Sequence, residues 1–477
     1  MKSIRLSKKL LAIPATLLAL SLCGTAFAET ITTKDNIKSL SVAIYNNGTG
    51  LVKDTRSVPL SQGINTVSFA GISARIQSET ALITGNGISV MEQNFNFDLL
   101  SRNSLLQKYL GKEIQVIKTN PATGVEKTET AKVLSVDKGL ILKIGNRIET
   151  DYGGRLIFPD IPKNLREKPT LTMDINAKSA GKQDLQLTYL TSGLTWKADY
   201  VAKLNKYENQ IDLSGWVTLT NTSGADYENA DLQFIAGEVN RARPHAVRNV
   251  MMAKSAKAMD YVEEAGGMEE EALMDYHLYS LGRKSTILSN QTKQLALLSA
   301  YSVPAKKEYR FDNLINAYGY GNKSFKNRSA AVKLTFVNDK KSNMGLPIPS
   351  GIVRVYKADS KERIFFVGED NVSHTPENEK ITLKLGEAFD VTSEGKETRR
   401  VANGKNSWEA SYEIIFKNAT DNPVVVEYYQ YFPHNWSIIG TDKGTRDTSS
   451  QNKWSIKIPV KGKTVLNYTV KVKGPEK

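Results

Sequence analysis

Four histidines, His245, His277, His374 and His434, are all that this 477-residue chain offers for imidazole chemistry. A histidine-rich metal or acid–base site is not built from so few. There is no Gly-rich phosphate loop with its Lys-Ser/Thr, no Gly-x-Ser-x-Gly elbow and no His-Glu-x-x-His pair. Four weaker groupings remain. Met251, Met252, Met259, Met268 and Met274 lie near His277, and thioether with imidazole selects Cu(I); their spacing follows no repeat, and mobile loops gather methionine without a metal. Glu369, Asp370, His374 and Glu379 could present oxygen and nitrogen ligands, but the stretch also reads as strand, turn, strand, with His374-Thr375-Pro376 in the turn. Tyr428, Tyr429, Tyr431, Phe432 and Trp436 form an aromatic run; such rings stack on sugars or fill a sheet core. Tyr318-Gly319-Tyr320-Gly321 reads as a loop that is either a contact surface or a flexible connection. Tyr318, Tyr320, Tyr429, Tyr431 and Trp436 are the candidate ligand surface. No catalytic residue, cofactor or metal ligand is expected.

The elements that must position these residues are strands. Trp454, Ile456 and Ile458 alternate with polar residues, as do Leu466, Tyr468, Val470 and Val472, and Trp408, Ala410, Tyr412, Ile414 and Phe416. A period of two sends one set to a buried face and the other to water. Turn pairs such as Asn47-Gly48, Asn86-Gly87 and Asn403-Gly404 separate the runs. The pattern predicts an all-β protein: an N-terminal β-domain over 29–170, then a larger antiparallel β-sandwich region over 171–477. Within the first, Asp98–Leu110 is the best short helix, and residues 112–160 read as a small SH3-like, barrel-like sheet. Residues 241–275 break the alternation with mixed charge and Gly266-Gly267, and read as a mobile insertion in the sandwich.

Compartment comes from residues 1–28. Lys2, Arg5, Lys8 and Lys9 precede an apolar run from Leu10 to Leu22, and Ala26-Phe27-Ala28 precedes Glu29. That is the layout of a signal peptide cleaved between Ala28 and Glu29. The run is about 13 residues, short for a spanning helix of roughly 20. Cleavage removes Cys23, the only cysteine, and with it disulfide, thiolate and cysteine–metal chemistry. No later segment has the length and apolarity of a membrane span. The full chain carries a formal +14, and loss of the four signal cations leaves +10. The cations are spread along the chain, which argues for solubility and against nucleic acid; an envelope glycan, anionic lipid or another envelope protein would be the partner.

The run Leu187-Thr188-Tyr189, Leu194-Thr195-Trp196-Lys197-Ala198-Asp199-Tyr200 and Thr218-Leu219-Thr220-Asn221-Thr222-Ser223-Gly224-Ala225-Asp226-Tyr227 resembles a bacterial secreted family catalogued only as domain of unknown function 4139. Ile348-Pro349-Ser350-Gly351-Ile352-Val353-Arg354, Phe366-Val367-Gly368-Glu369, His374-Thr375-Pro376 and Leu385-Gly386-Glu387 resemble its second block. The resemblance spans about 180–470, and Ala43-Ile44-Tyr45-Asn46 with Gly50-Leu51-Val52 resembles the strand pair that often precedes it. Tyr227 stands where the family usually has Trp. The resemblance implies secretion and β-sandwich architecture, and no activity. Trp196 and Tyr200, four apart in a strand, share one face, and Asn221, Gly224 and Asp226 are turn chemistry. Gly351, Gly368 and Gly386 read as strand ends.

The combined expectation is an exported, periplasmic or secreted protein that is not an enzyme and that binds or scaffolds a cell-envelope component. The alternative is a secreted hydrolase acting on envelope glycan or peptide, which would need two carboxylates converging in a cleft.

Overall fold

The computed structural model of the chain describes residues 29–96, 98–137, 139–162, 164–237, 268–274, 276–316, 323–404, 407–432 and 435–474. Residues 1–28, with the expected cleavage position at Ala28, lie outside them. Over the described residues the chain is all-β, with one α-helix and three short 3-10 turns. Its two compact units interleave in sequence. One takes residues up to 36, 57–71 and 84–185, the other 37–56, 72–83 and 186–477. A single boundary near 170 therefore does not separate them. The reason is a parallel pairing: Ile37–Tyr45 lies beside Tyr227–Ala236, with Ser41 opposite Asp231, and local alternation carries no record of so distant a neighbour.

The first unit holds two sheets. In one, Thr30–Thr32, Gly63–Ala70, Thr170–Ala177 and Ile88–Asn96 follow in that order, and Val67, Phe69, Leu171, Met173 and Ile175 fill its inner face. Glu29, the expected first mature residue, is bonded to Ser68 and paired with Arg166 at 2.8 Å. The other sheet is an antiparallel set ordered Arg147–Thr150, Ile141–Ile144, Glu126–Ser135, Glu113–Thr119, Arg155–Ile157. Its two edge strands do not pair among the described residues, so it is an open sheet and not a closed barrel. The helix Arg102–Lys108 packs on it through Leu106, with Tyr109 just beyond, against Ile114, Val116, Val133 and Leu142. The helix begins later than the leucine spacing predicts because Ser101 caps it: the Ser104 N–H donates to Ser101 Oγ at 3.1 Å, and the Ser101 N–H to Ser104 Oγ at 2.8 Å.

The second unit holds the largest sheet of the described residues. That sheet runs Ile364–Val372, Gly351–Ala358, Leu194–Leu204, Gln210–Asn221, Gln291–Asp312, Ser324–Asn338, Glu379–Ala402, Trp408–Asn418, Gly462–Lys473, Asn435–Ile439. Most neighbours are antiparallel, as expected, but Gly351–Ala358 lies parallel to Leu194–Leu204 and Val424–Tyr431 parallel to Gln291–Asp312. The turn that follows Gln210–Asn221 is built as its residues suggest. Asn221, fully buried, donates from Nδ2 to the Ala225 carbonyl at 2.8 Å and accepts from the Ser223 N–H at 3.0 Å. Asp226 accepts from the Ser289 N–H at 2.7 Å.

Two expectations change here. Gly368 and Gly386 lie inside strands, at or beside register irregularities, not at strand ends. Gly368 has φ +147°, and a Cβ there would meet the Leu385 carbonyl oxygen at 2.2 Å, so glycine lets two chain segments approach closely. The last part of the 241–275 insertion is sheet: Glu269–Leu273 pairs with Tyr276–Ser280, and Met268 is buried. Residues 241–267 lie outside the described residues.

Candidate functional site

Leu194–Leu204 is the element that builds the site. Its even residues, Leu194, Trp196, Ala198, Tyr200, Ala202 and Leu204, are all buried. Trp196 packs edge-to-face on Phe234 at 5.6 Å and on Tyr279 at 6.4 Å. With that phase fixed, Lys197, Asp199 and Val201 must take the opposite face. Tyr200 then ties the strand to the second block: its hydroxyl, buried, donates to the Pro349 carbonyl at 2.8 Å. Gly351 sits opposite Ala198, where an added Cβ would lie 2.2 Å from the Ala198 carbonyl oxygen. Glycine is what allows the two strands to run side by side from this point.

The parallel register places Val201 opposite Arg354, and the antiparallel one places Arg354 opposite Glu369. Arg354 Nη1 donates to Asp199 at 3.1 Å, and its Nε forms an ion pair with the Glu369 carboxylate at 3.1 Å. Thr218 donates to the other Asp199 oxygen at 2.8 Å, and Lys197 Nζ stands 3.4 Å from the same atom. Asp199 is only 8% exposed although it is on the outer face, because these donors cover it. Burial acts to raise its carboxyl, and the Thr218 and Arg354 hydrogen bonds with the Lys197 charge outweigh it, so the group titrates below its ordinary range. Arg354 is held still more firmly protonated by its bond to Asp199. Beside this network lies a cleft of about 360 Å³ lined by Lys197, Asp199, Ser350, Ile352, Asn371 and Ser373. On the other side of Asp199, and directly opposite it in the sheet, stands Trp216, 39% exposed.

Chemically, the arrangement is a charge-compensated network in which Arg354, Thr218 and Lys197 surround the Asp199 carboxylate. Every described carboxyl that is clearly displaced is displaced downward: Glu129, Asp199, Glu208, Glu308, Asp359 and Glu394. Ser350 and His374 meet, with Oγ 3.2 Å from Nε2, but the Ser350 N–H donates to Nδ1 at 3.3 Å. A neutral ring then carries its proton on Nε2 and donates to the serine, the reverse of a base that activates a nucleophile.

The other candidates disperse. Glu369 goes to Arg354, while Asp370 accepts from the Lys384 N–H at 2.7 Å; no group of three His, Cys, Asp or Glu among the described residues is placed to hold a metal ion. His277 Nδ1 pairs with Glu270 at 2.6 Å, Met268 is buried and Met274 is 89% exposed. Tyr318 and Tyr320 lie outside the described residues. Tyr429 is half-buried beneath the Arg310 guanidinium at 3.8 Å, and Tyr431 is 38% exposed. Trp436 is a correction. It is 6% exposed, packs on Phe432 at 5.2 Å and donates from Nε1 to the Ser449 carbonyl, so it belongs to the core and not to a ligand surface. Tyr428, Trp454 and Tyr468 form the centre of that core, with Trp454 4.7 Å from Tyr468.

The two sequence blocks that resemble the family meet at Asp199 and Arg354. The sequence model of the family described as Domain of unknown function (DUF4139) matches residues 185–476. The chain belongs to that family. No curated protein matches it. The matched region contains the whole of the cleft, Trp216 and the ion-pair network. Trp216, Thr218, Asp199 and Arg354 as a group were missed by reasoning from motifs. For Trp216 the signal was available: Leu213, Gly215, Val217 and Leu219 are one buried phase, and a tryptophan stands in the solvated one.

Proposed function

We propose that this is an exported, non-catalytic protein that binds a component of the cell envelope, and that the component is a saccharide taken on the outer face at Asp199. The observation that carries the reading is the placing of Trp216 against Asp199, with the cleft on the other side. An exposed indole offers an apolar ring face for sugar C–H groups, while Asp199, Asn371 and Ser350 offer planar and hydroxyl groups for sugar hydroxyls. The donors already on Asp199 fix its carboxylate before a ligand arrives, which lowers the ordering cost of binding. Export rests on the Lys2–Ala28 segment and Ala26-Phe27-Ala28.

The test is binding of chain 29–477 to isolated envelope polysaccharides, measured by calorimetry and compared with Trp216→Ala. The expected result is saccharide binding that falls at least about ten-fold in the variant, with the melting temperature held, since Trp216 is a surface residue. Equal binding by parent and variant, or no saccharide binding by the parent, overturns the reading. Release of shortened glycan or peptide during the incubation would favour the secreted hydrolase instead.

A further inference from the structure

The hairpin of Gly351–Ala358 and Ile364–Val372 is the edge of its sheet. Toward its turn the outer strand puts four large apolar residues in a row: Ile364 is 59% exposed, Phe365 50%, Phe366 55% and Val367 38%. Successive strand residues point to opposite faces, so both faces of the hairpin's far end stand in water. Four consecutive exposed apolar residues mark a surface made to be covered. The register shows how they arise. Ile364 lies opposite Ala358, Phe365 opposite Lys357 and Phe366 opposite Tyr356, and a bulge then leaves Val367 unopposed before Gly368 meets Val355.

The charges at this end are cationic. Leu204 pairs with Lys357, which puts the turn between Leu204 and Gln210 at the same end of the sheet as the hairpin turn. Tyr207 of that turn is 71% exposed, with Lys206 Nζ 4.7 Å over its ring. Two acids nearby are already engaged: Asp359 with Arg363 at 2.6 Å, and Glu208 with Lys307 at 2.7 Å and with Lys357. Lys203, Lys206 and Lys361 are exposed and hold no carboxylate among the described residues; Glu362 is the one opposing acid in these two turns outside an ion pair.

The geometry selects the occupant. A partner sheet would cover one face of the strand. A strand added at the edge would pair its backbone and leave both faces in water. A second copy meeting edge to edge would, like any added strand, pair its backbone and leave the apolar faces in water. A lipid headgroup layer covers both faces at once, accepts aromatic rings at its boundary and supplies phosphates to lysines that reach outward. We propose that this end of the sheet is a membrane-docking element, inserting Ile364–Val367 into an anionic lipid surface with Lys203, Lys206 and Lys361 on the headgroups. The saccharide cleft, at the other end of the same hairpin, is left open by this docking.

Chain 29–477 is floated with vesicles of phosphatidylcholine and of phosphatidylcholine mixed with phosphatidylglycerol. It should float with the anionic vesicles, release as salt rises, and lose about ten-fold or more in affinity when Phe365→Ser and Phe366→Ser are combined, with melting unchanged. Phe365→Trp keeps the hairpin apolar and reports independently: its emission should shift to the blue on anionic vesicles. Failure of the parent to float at low salt, equal flotation of the double variant, or an unshifted Trp emission overturns the proposal. So does self-association that the double variant abolishes, which would assign the surface to a second copy. Flotation and saccharide binding are read separately, so loss of one with the other intact shows which proposal has failed.

Discussion

Trp196→Ala tests whether the most distinctive residue of the first motif acts by packing. The indole is 5% exposed and meets Phe234 and Tyr279 edge-to-face. Truncating a buried aromatic to alanine costs about 3–5 kcal/mol, from lost transfer energy and the cavity left behind. The lower half of that range applies here. Trp196 Nε1 is buried without a hydrogen-bond partner among the described residues, and a buried unsatisfied donor already burdens the parent by about 1–3 kcal/mol; alanine relieves that term while losing the ring. We expect a loss of about 3 kcal/mol, which at roughly 2 °C per kcal/mol for a unit of this size lowers the melting temperature by about 6 °C. The same reasoning orders a second variant. Trp196→Phe keeps a ring against Phe234 and removes the unsatisfied donor, so it should lie within about 1 kcal/mol of the parent. Urea denaturation followed by far-ultraviolet circular dichroism measures both. An alanine variant within about 1 kcal/mol of the parent, or a phenylalanine variant as damaged as alanine, would refute the packing account.

Three further outcomes are expected. Gly351→Ala sets a methyl against the Ala198 carbonyl, a backbone atom that cannot step aside, and should lower stability by about 1–3 kcal/mol or more; an unchanged denaturation midpoint would refute the close approach. The Asp199 carboxyl is held below its ordinary range, so its contribution is fully present above the unfolded value near ~3.9 and is lost as pH falls through the folded value. The stability difference between parent and Asp199→Asn should therefore shrink below about pH 4, and a difference constant down to pH 2 would contradict it. Trp436→Ala should destabilise the protein by about 3–5 kcal/mol, where a surface ligand platform would leave stability untouched; denaturant titration separates the two.

What was legible in the sequence was whatever repeats locally. The alternation of Leu194, Trp196, Ala198, Tyr200 and Ala202 is visible within eleven residues, and the structure buries that set. What was not legible is pairing between strands far apart in the chain. Asp199 and Arg354 are separated by 155 positions and meet through a parallel register, which no local pattern encodes. Trp436 shows a different failure. Along Val424–Tyr431 the phase is clear, with Tyr428 and Gln430 inward and Tyr429 and Tyr431 outward. The strand ends at Tyr431, and Asn435–Ile439 pairs with a different strand, Gly462–Lys473, so the phase of the first run says nothing about the face of Trp436.

The motif residues and the cleft are bound by one geometric fact. A strand has only two faces, and a slip of one residue exchanges them. Trp196 and Tyr200 occupy the buried face, where their rings are packed away from water, and so they hold Lys197 and Asp199 outward. Tyr200 further fixes Pro349 through its hydroxyl, and Gly351 brings Arg354 within reach of Asp199. The consequence bears on every binding experiment with this protein. Loss of saccharide binding in a Trp196, Tyr200 or Gly351 variant would follow from either a contact or a collapsed register, and so decides nothing by itself. Trp216 is the informative position: it stands on the solvated phase of Gln210–Asn221, its removal leaves the buried face intact, and a loss of binding at constant stability there can come only from the surface.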